Sequence, residues 1–401
     1  IKDFPNLDFG DIRRDQRFVK IIDNLSAQPG SSIPKQNSSW YDTKATYAFF
    51  KNEEVSIDSL QQLISSYGVS QIKIKDPLLI IHDISNISYN DLKAEGLGYI
   101  DNKEGRGILC YSSIAASTSG LPLALMYQHT WTRPLEELGK SKNRKSRSFE
   151  DKETYQWYKG MTEVNNCLGS KVQKIHIADR EADVYDLFFS AYEKGTDLLI
   201  RARHKRQLSN GCSLWNHIAE LPAQQIVTIQ VPDKTGKKKI DVKATVRYQE
   251  VEILRPSTSK NKYESVRLTA IEVKQTGKVN QEEQRICWKL LTTVEVKNVK
   301  DVLQCIKWYT YRWLIERFHY VLKSGTKIEE LQLKQATSLQ KAISVYSLAA
   351  FRIMQLVYQA RHMPNVSCEA ILTKQQWTVL FMLIHQKNKT TKKAPTLSEA
   401  I

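Results

Sequence analysis

Of the six cysteines, at positions 110, 167, 212, 287, 305 and 368, no two form a CxxC pair. That spacing suggests neither a zinc site nor a disulfide framework. The thiols are expected to stay free in a reducing cytoplasm. Long apolar runs are also missing. The longest, VLFMLI at 379–384, is far too short to span a bilayer, and no secretory signal opens the chain. An initiator Met is absent, so N-terminal residues are expected to be missing. No internal repeat is evident, and no His/Cys cluster or nucleophilic Ser with a His/Asp context competes for an active site. The chain is short of acid: 43 Asp and Glu stand against 59 Lys and Arg, a net charge of +16. Such an excess favours a polyanionic partner, although solvated charge on a soluble protein is the plainer reading of charge alone. At 401 residues the chain can bury two or three cores.

Residues 1–56 read as a small basic helical unit suited to DNA contact. DIRRDQRFVKII (11–22) sets apolar residues on one side and Arg13, Arg14 and Arg17 on the other. DTKATYAFFKN (42–52) is a second helix, joined by a Ser/Pro-rich link. Residues 57–330 read as an α/β domain. PLLIIHD is a buried strand ending in an acid, and GRGILCYSSIAAS (105–117) and PLALMYQHTW (122–131) follow as strands. After a basic loop at 140–148, a helix is expected over 149–169. A strand then stops at Asp179, and DLLIRARH is a further strand. About 222–295 the pattern turns to period two and predicts an antiparallel β insertion. Residues 331–401 read as helical, with helices starting at Ser338 and Thr373.

The stretch KWYTYRWLIERFHYVLK (307–323) predicts one amphipathic helix. At about 100° per residue, Tyr309, Arg312, Glu316 and Lys323 fall within roughly a 60° arc, a wet stripe opposite the apolar residues. Asp83 and Asp179 are each expected at the C-terminal end of a strand, where side chains reach one crevice. If the helix carrying Glu316 packs beside the sheet, three carboxylates converge. Hard divalent cations would compensate such a cluster, and two of them can stabilise both oxygens of a phosphodiester displacement. Each residue has a plainer reading. Asp83 alone is a turn former. Glu181 and Asp183 suit a helix start, and Glu316 pairs with Arg312 at i−4.

The combination Y-x2-R-x3-E-x6-K at Tyr309, Arg312, Glu316 and Lys323 resembles the YREK motif of the IS4 family of DDE transposases. DREAD resembles the segment bearing that family's second catalytic Asp, and LLIIHDISNISY the segment bearing its first. The resemblance runs from FGDIRRDQRF to the helices after 330. It implies a ribonuclease H-like core in which Asp83, Asp179 and Glu316 are catalytic and hold two Mg²⁺ ions, with Mn²⁺ as a substitute. It also implies cut-and-paste transposition: hydrolysis at the transposon end, a hairpin intermediate, and strand transfer into target DNA. The implied partners are double-stranded DNA and a second copy of the chain in a synaptic dimer, in a bacterial, nucleoid-associated setting with no membrane. Tyr309, Arg312 and Lys323 would position phosphates. Trp288 would stack on a flipped base, with Trp313 and Arg201 beside it, and Arg14 and Arg17 would contact DNA from the N-terminal unit. Unaided, Trp288 reads as a cross-strand core residue and Arg201 as a solvated strand-end base. The family's N-terminal helix is clipped here and the C-terminal dimerisation region is short, so truncation is expected. A truncated or silent remnant that only binds DNA is the alternative.

Overall fold

The computed structural model describes residues 4–73, 76–101, 105–137, 149–170, 172–232, 239–257, 259, 263–277, 286–370, 372–385 and 393–400. The basic stretch 140–148, expected as a loop, lies outside them. The chain opens with helices α1 (Ile12–Ala27), α2 (Ile33–Gln36), α3 (Trp40–Lys51) and α4 (Ile57–Gln71). Three of these start on side-chain caps. Asp11 accepts from the Arg13 N–H at 2.8 Å, Ser39 from Asp42 at 3.1 Å and Ser56 from Ser59 at 2.9 Å. Phe18, Ile21 and Leu25 share one buried flank of α1, as their three- and four-residue spacing requires.

Strands β1 (Leu78–Ser88), β2 (Gly98–Tyr99), β3 (Arg106–Ala116) and β4 (Pro122–Trp131) follow. Next come α5 (Tyr155–Leu168), β5 (Lys174–Ala178), α6 (Tyr185–Lys194) and β6 (Asp197–Arg201). The helix expected over 149–169 therefore begins only at Tyr155, after a run of turns. After α7 (Leu214–Glu220) come β7 (Gln225–Pro232), β8 (Lys239–Leu254), β9 (Ser265–Gln275) and β10 (Cys287–Thr292). The chain then forms α8 (Val299–Thr310), α9 (Trp313–Tyr320), α10 (Ala336–His362), α11 (Lys374–His385) and α12 (Leu397–Ala400).

All ten of these strands join one mixed sheet. β3 pairs antiparallel with β1, and both β2 and β4 pair antiparallel with β3. β5 runs parallel to β1, and β6 parallel to β5. β10 lies antiparallel to β6 and leads on to β9, β8 and β7. The antiparallel stretch thus extends the α/β sheet instead of standing apart from it.

Alternation along the strands sends side chains to two cores. Leu79 and Ile81 of β1 and Ile177 of β5 join Phe18, Phe50, Phe318 and Tyr346 on the face covered by α1, α3, α9 and α10. Leu78, Ile80 and Ala178 face the other way, toward Trp157 of α5, Phe188 of α6 and Ile218 of α7. α10 is buried on most sides, which marks a core helix. One expectation is corrected here: the residue before the helix is Gln335, with Ser338 buried inside it. α10 residues from Ala336 to Met354 belong to the main core. Only the last part gathers its own small cluster, around Cys368, Trp377 and Leu397. Among the described residues no helix is long and apolar enough to cross a membrane.

A buried polar chain crosses the sheet on the α5 side. His176 Nε2 lies 3.0 Å from Asn165 Oδ1, His82 Nε2 lies 2.8 Å from His176 Nδ1, and His82 Nδ1 lies within 2.8 Å of the Tyr111 and Ser113 hydroxyls. An amide oxygen only accepts, so His176 carries its proton on Nε2. His82 then donates through Nε2 and accepts at Nδ1. Both imidazoles are satisfied in the neutral form.

Candidate active site

The β1–β5 ladder ends at the pair Ile81 and Ile177. Carrying that register two residues on sets Asp83 opposite Asp179, and both have the odd parity that points to the α9 face. One detail differs from the sequence reading. Asp83 is not at a strand end, because β1 runs on to Ser88 and there pairs with β3 alone, Asp83 facing Ser112. The strand that stops is β5. Asp179 follows it, its Oδ1 accepting the Arg180 N–H at 2.6 Å to open a short 3₁₀ turn.

The stretch expected as a single helix is three pieces. Tyr311 and Arg312 bond back three residues, to Trp308 and Tyr309, and end α8 before α9 begins. A π-helical turn, Val321–Gly325, then carries Lys323. The stripe is not wet either. Tyr309 and Arg312 are 3% and 6% exposed. Both are buried, and Glu316 and Lys323 are half-buried. Arg312 Nη1 reaches Glu316 Oε1 at 2.5 Å, the i−4 pairing that the spacing allowed, but with the Arg side chain buried.

Glu316 feels both aspartates. Burial raises the Glu316 carboxyl above its ordinary value, Arg312 opposes this, and the Asp83 and Asp179 charges add to the rise. Burial likewise pushes the Tyr309 phenol up to about 12, with Arg312 opposing, Asp179 adding and Arg201 opposing. Asp83, Asp179, Glu316, Tyr309, Arg312 and Arg201 therefore share one electrostatic neighbourhood. Around it, buried polar atoms stand without a protein partner: the Tyr309 hydroxyl, Arg312 Nε and His319 Nε2. Two of these are donors, and an orphaned buried donor is costly unless a ligand accepts from it. An all-oxygen set of carboxylates suits a hard divalent cation in its chemistry. Their spacing does not yet suit one: among the described residues no group of three or more His, Cys, Asp or Glu side chains is close enough to hold a metal ion.

The remaining expected residues divide. Arg201 ends β6 opposite Leu290 and lies near Tyr309. Lys323 acts on the buried Cys110 of β3, on the Asp83 face. Trp313 is half-buried, with the Arg312 guanidinium 4.6 Å from its ring. It borders a groove of about 680 Å³ between β7, α8 and α10. Trp288 is 6% exposed and its ring meets Tyr309 at 5.3 Å in an edge-on contact, so in this structure it packs within the core beside the crevice. Arg14 donates to the Phe9 carbonyl at 2.7 Å and Arg17 to Asp42 at 2.9 Å, so both also tie the helical unit together.

Sequence reasoning missed four features. Glu181, exposed two residues after Asp179, has its carboxyl raised by partial desolvation, with Asp83, Glu153 and Asp179 adding and Arg203 opposing, so it lies within electrostatic reach of the two aspartates. Asp183 is no helix-start acid. It is fully buried, ion-paired to Arg206, and accepts the Arg203 and His204 N–H groups at 2.7 and 2.8 Å. His319 sits one turn beyond Glu316, against Asp83. On the N-terminal unit Trp40 and Tyr41 are 67% and 74% exposed, with Lys44 and Arg17 near their rings. The E-x-x-H spacing was a readable sign for His319, whereas nothing in the sequence marks Asp183 as buried.

Residues 1–55 match the family model described as transposase DNA-binding. Among solved structures the chain is similar to the piggyBac transposase of a synaptic complex with hairpin DNA, studied by cryo-electron microscopy. Identity is 10%, coverage is 95% of this chain and 74% of that chain, and the TM-score is 0.44. A likeness at that level assigns no residue a role.

Proposed function

We propose that the chain is a DNA transposase of the DDE type, of IS4-family kind, built on a ribonuclease H-like core. The observation that carries this reading is that Glu316 lies within the electrostatic reach of both Asp83 and Asp179, beside two buried donors, the Tyr309 hydroxyl and Arg312 Nε, that lack a protein partner. The N-terminal match to a transposase DNA-binding family and the mixed sheet, antiparallel strands followed by parallel ones reached through helices, support it.

Asp83, Asp179 and Glu316 would hold two Mg²⁺ ions, with Mn²⁺ as a substitute. Such ions, when bound, lower the pKa of an attacking water or 3′-hydroxyl and stabilise the leaving oxygen. The chain's own residues position the DNA. Arg312 suits phosphate oxygens through its planar fork, Lys323 as a point charge, and Tyr309 through its hydroxyl. Trp313 offers a ring to an unstacked base, as a hairpin intermediate and later strand transfer require. Cutting two ends together implies a homodimer, and the bacterial nucleoid is the setting that goes with this chemistry.

A second reading, a remnant that binds DNA without cutting, is favoured by the spacing of the carboxylates, which forms no ready metal group. Mg²⁺-dependent cleavage of a duplex bearing the inverted repeat that flanks the gene separates the two. The transposase reading expects nicking at the repeat's end, lost in Glu316→Ala with DNA binding retained. Wild-type binding with no cleavage supports the remnant, and cleavage with no preference for the end supports a general nuclease.

A further inference from the structure

His319 has no part in the scheme so far, yet its placement is specific. It lies three residues after Glu316 on α9, hence on the same flank of that helix. Its side chain is 7% exposed, and Nδ1 lies 3.5 Å from Asp83 Oδ2. Among the described residues no other cationic or imidazole group comes within ion-pair reach of Asp83. Nε2 is buried with no partner. The helix already has its apolar anchors in Leu314, Ile315, Phe318 and Leu322. A phenyl ring would fill the His319 volume without leaving a buried nitrogen unserved, so packing alone does not explain an imidazole here.

We propose that His319 is a positioning residue for Asp83. It rests on the reading of Asp83 as a metal-holding carboxylate. Asp83 and Asp179 stand opposite each other across neighbouring strands and repel. Arg312 restrains Glu316, and His319, from the same helix, restrains Asp83. The neutral Nδ1–H tautomer and the imidazolium both carry a proton on Nδ1, so the restraint does not depend on which is present. At 3.5 Å the contact is longer than a formed N–H···O bond, and such contacts tighten when a site closes on its ligands. Groups that orient a metal's carboxylates and imidazoles from behind typically account for ten- to a hundredfold in metal affinity.

The test titrates Mn²⁺ into the full chain bound to a short duplex of its flanking DNA, read by electron paramagnetic resonance, beside the Mg²⁺ midpoint of cleavage. His319→Phe is expected to weaken Mn²⁺ binding about ten- to a hundredfold. Its Mg²⁺ midpoint should rise in parallel, with the cleavage rate recovering at saturating Mg²⁺ and DNA affinity in chelator unchanged. His319→Asn, whose amide nitrogen replaces Nδ1, should restore most of the affinity. His319→Gln, whose amide replaces Nε2, should not. Wild-type Mn²⁺ affinity in His319→Phe overturns the proposal, and if that variant does not fold, equal affinities for the Asn and Gln variants overturn it. If Asp83→Asn also binds Mn²⁺ as the wild type does, the carboxylate reading itself fails and the role of His319 with it. If Asp83→Asn loses Mn²⁺ while His319→Phe keeps it, only the role of His319 fails.

Discussion

At the scale of single residues the informative positions are those where side-chain space is already taken. Gly160 in α5 lies against the Tyr111 ring, and a Cβ there would sit 2.1 Å from Tyr111 Cε1. Alanine is the better helix former by about 1 kcal/mol, so helix propensity alone predicts stabilisation by Gly160→Ala. Tyr111 cannot easily retreat, because it is fully buried and its hydroxyl is tied to His82. Overpacking of this kind costs about 1–3 kcal/mol, so the variant is expected to be less stable in urea unfolding. Equal or greater stability would mean that the ring gives way freely. The acids of the crevice were legible because their type and spacing carry chemistry. The covering of Trp288 was not, because an indole in a period-two strand reads the same whether its neighbour is solvent or Tyr309.

At the scale of elements, the His82–His176 chain ties β1, β3, β5 and α5 together and makes their assembly sensitive to acid. Burial holds both imidazoles below their ordinary value of 6.5, His176 at about 3, with His176 adding to the effect on His82 and Lys174 to that on His176. On unfolding they regain ordinary values. Above 6.5 neither state is protonated and the contribution is whole. Below 6.5 the unfolded chain binds more protons, so stability falls with falling pH until the folded values are reached. Each imidazole contributes a slope of about 1.4 kcal/mol per pH unit. Urea unfolding on either side of 6.5 should show stability dropping toward acid, and a flat profile there would contradict the buried neutral pair. The longer strands and the helices α1 and α3 were legible from apolar patterning and turn residues, whereas the two-residue β2 and the helix α4 were not. The break between α8 and α9 was not, because apolar spacing runs from Trp308 to Leu322 without interruption. β1 runs on past Asp83 because β3 continues the pairing there, and an acid in an apolar run gives no sign of that partner.

At the scale of the whole molecule, the net charge of +16 and the N-terminal match to a DNA-binding family point the same way. Affinity for duplex DNA should then fall steeply with salt, roughly a thousandfold or more between about 50 and 200 mM if six or more phosphates are neutralised. A shallow dependence in a filter-binding titration would count against DNA as the partner. The α/β class was legible from the order of patterns. That the antiparallel strands, β7 to β10, would continue the same sheet was not, because the β10–β6 pairing joins residues far apart in the chain and leaves no local trace.

The central claim is that Asp83, Asp179 and Glu316 serve one divalent-metal site on DNA. Its most direct test is Mn²⁺ binding to the protein–DNA complex, followed by electron paramagnetic resonance in the wild type and in Asp83→Asn, Asp179→Asn and Glu316→Gln. The account predicts bound Mn²⁺ in the wild type and its loss in each of the three variants. Wild-type binding that survives all three substitutions would contradict it.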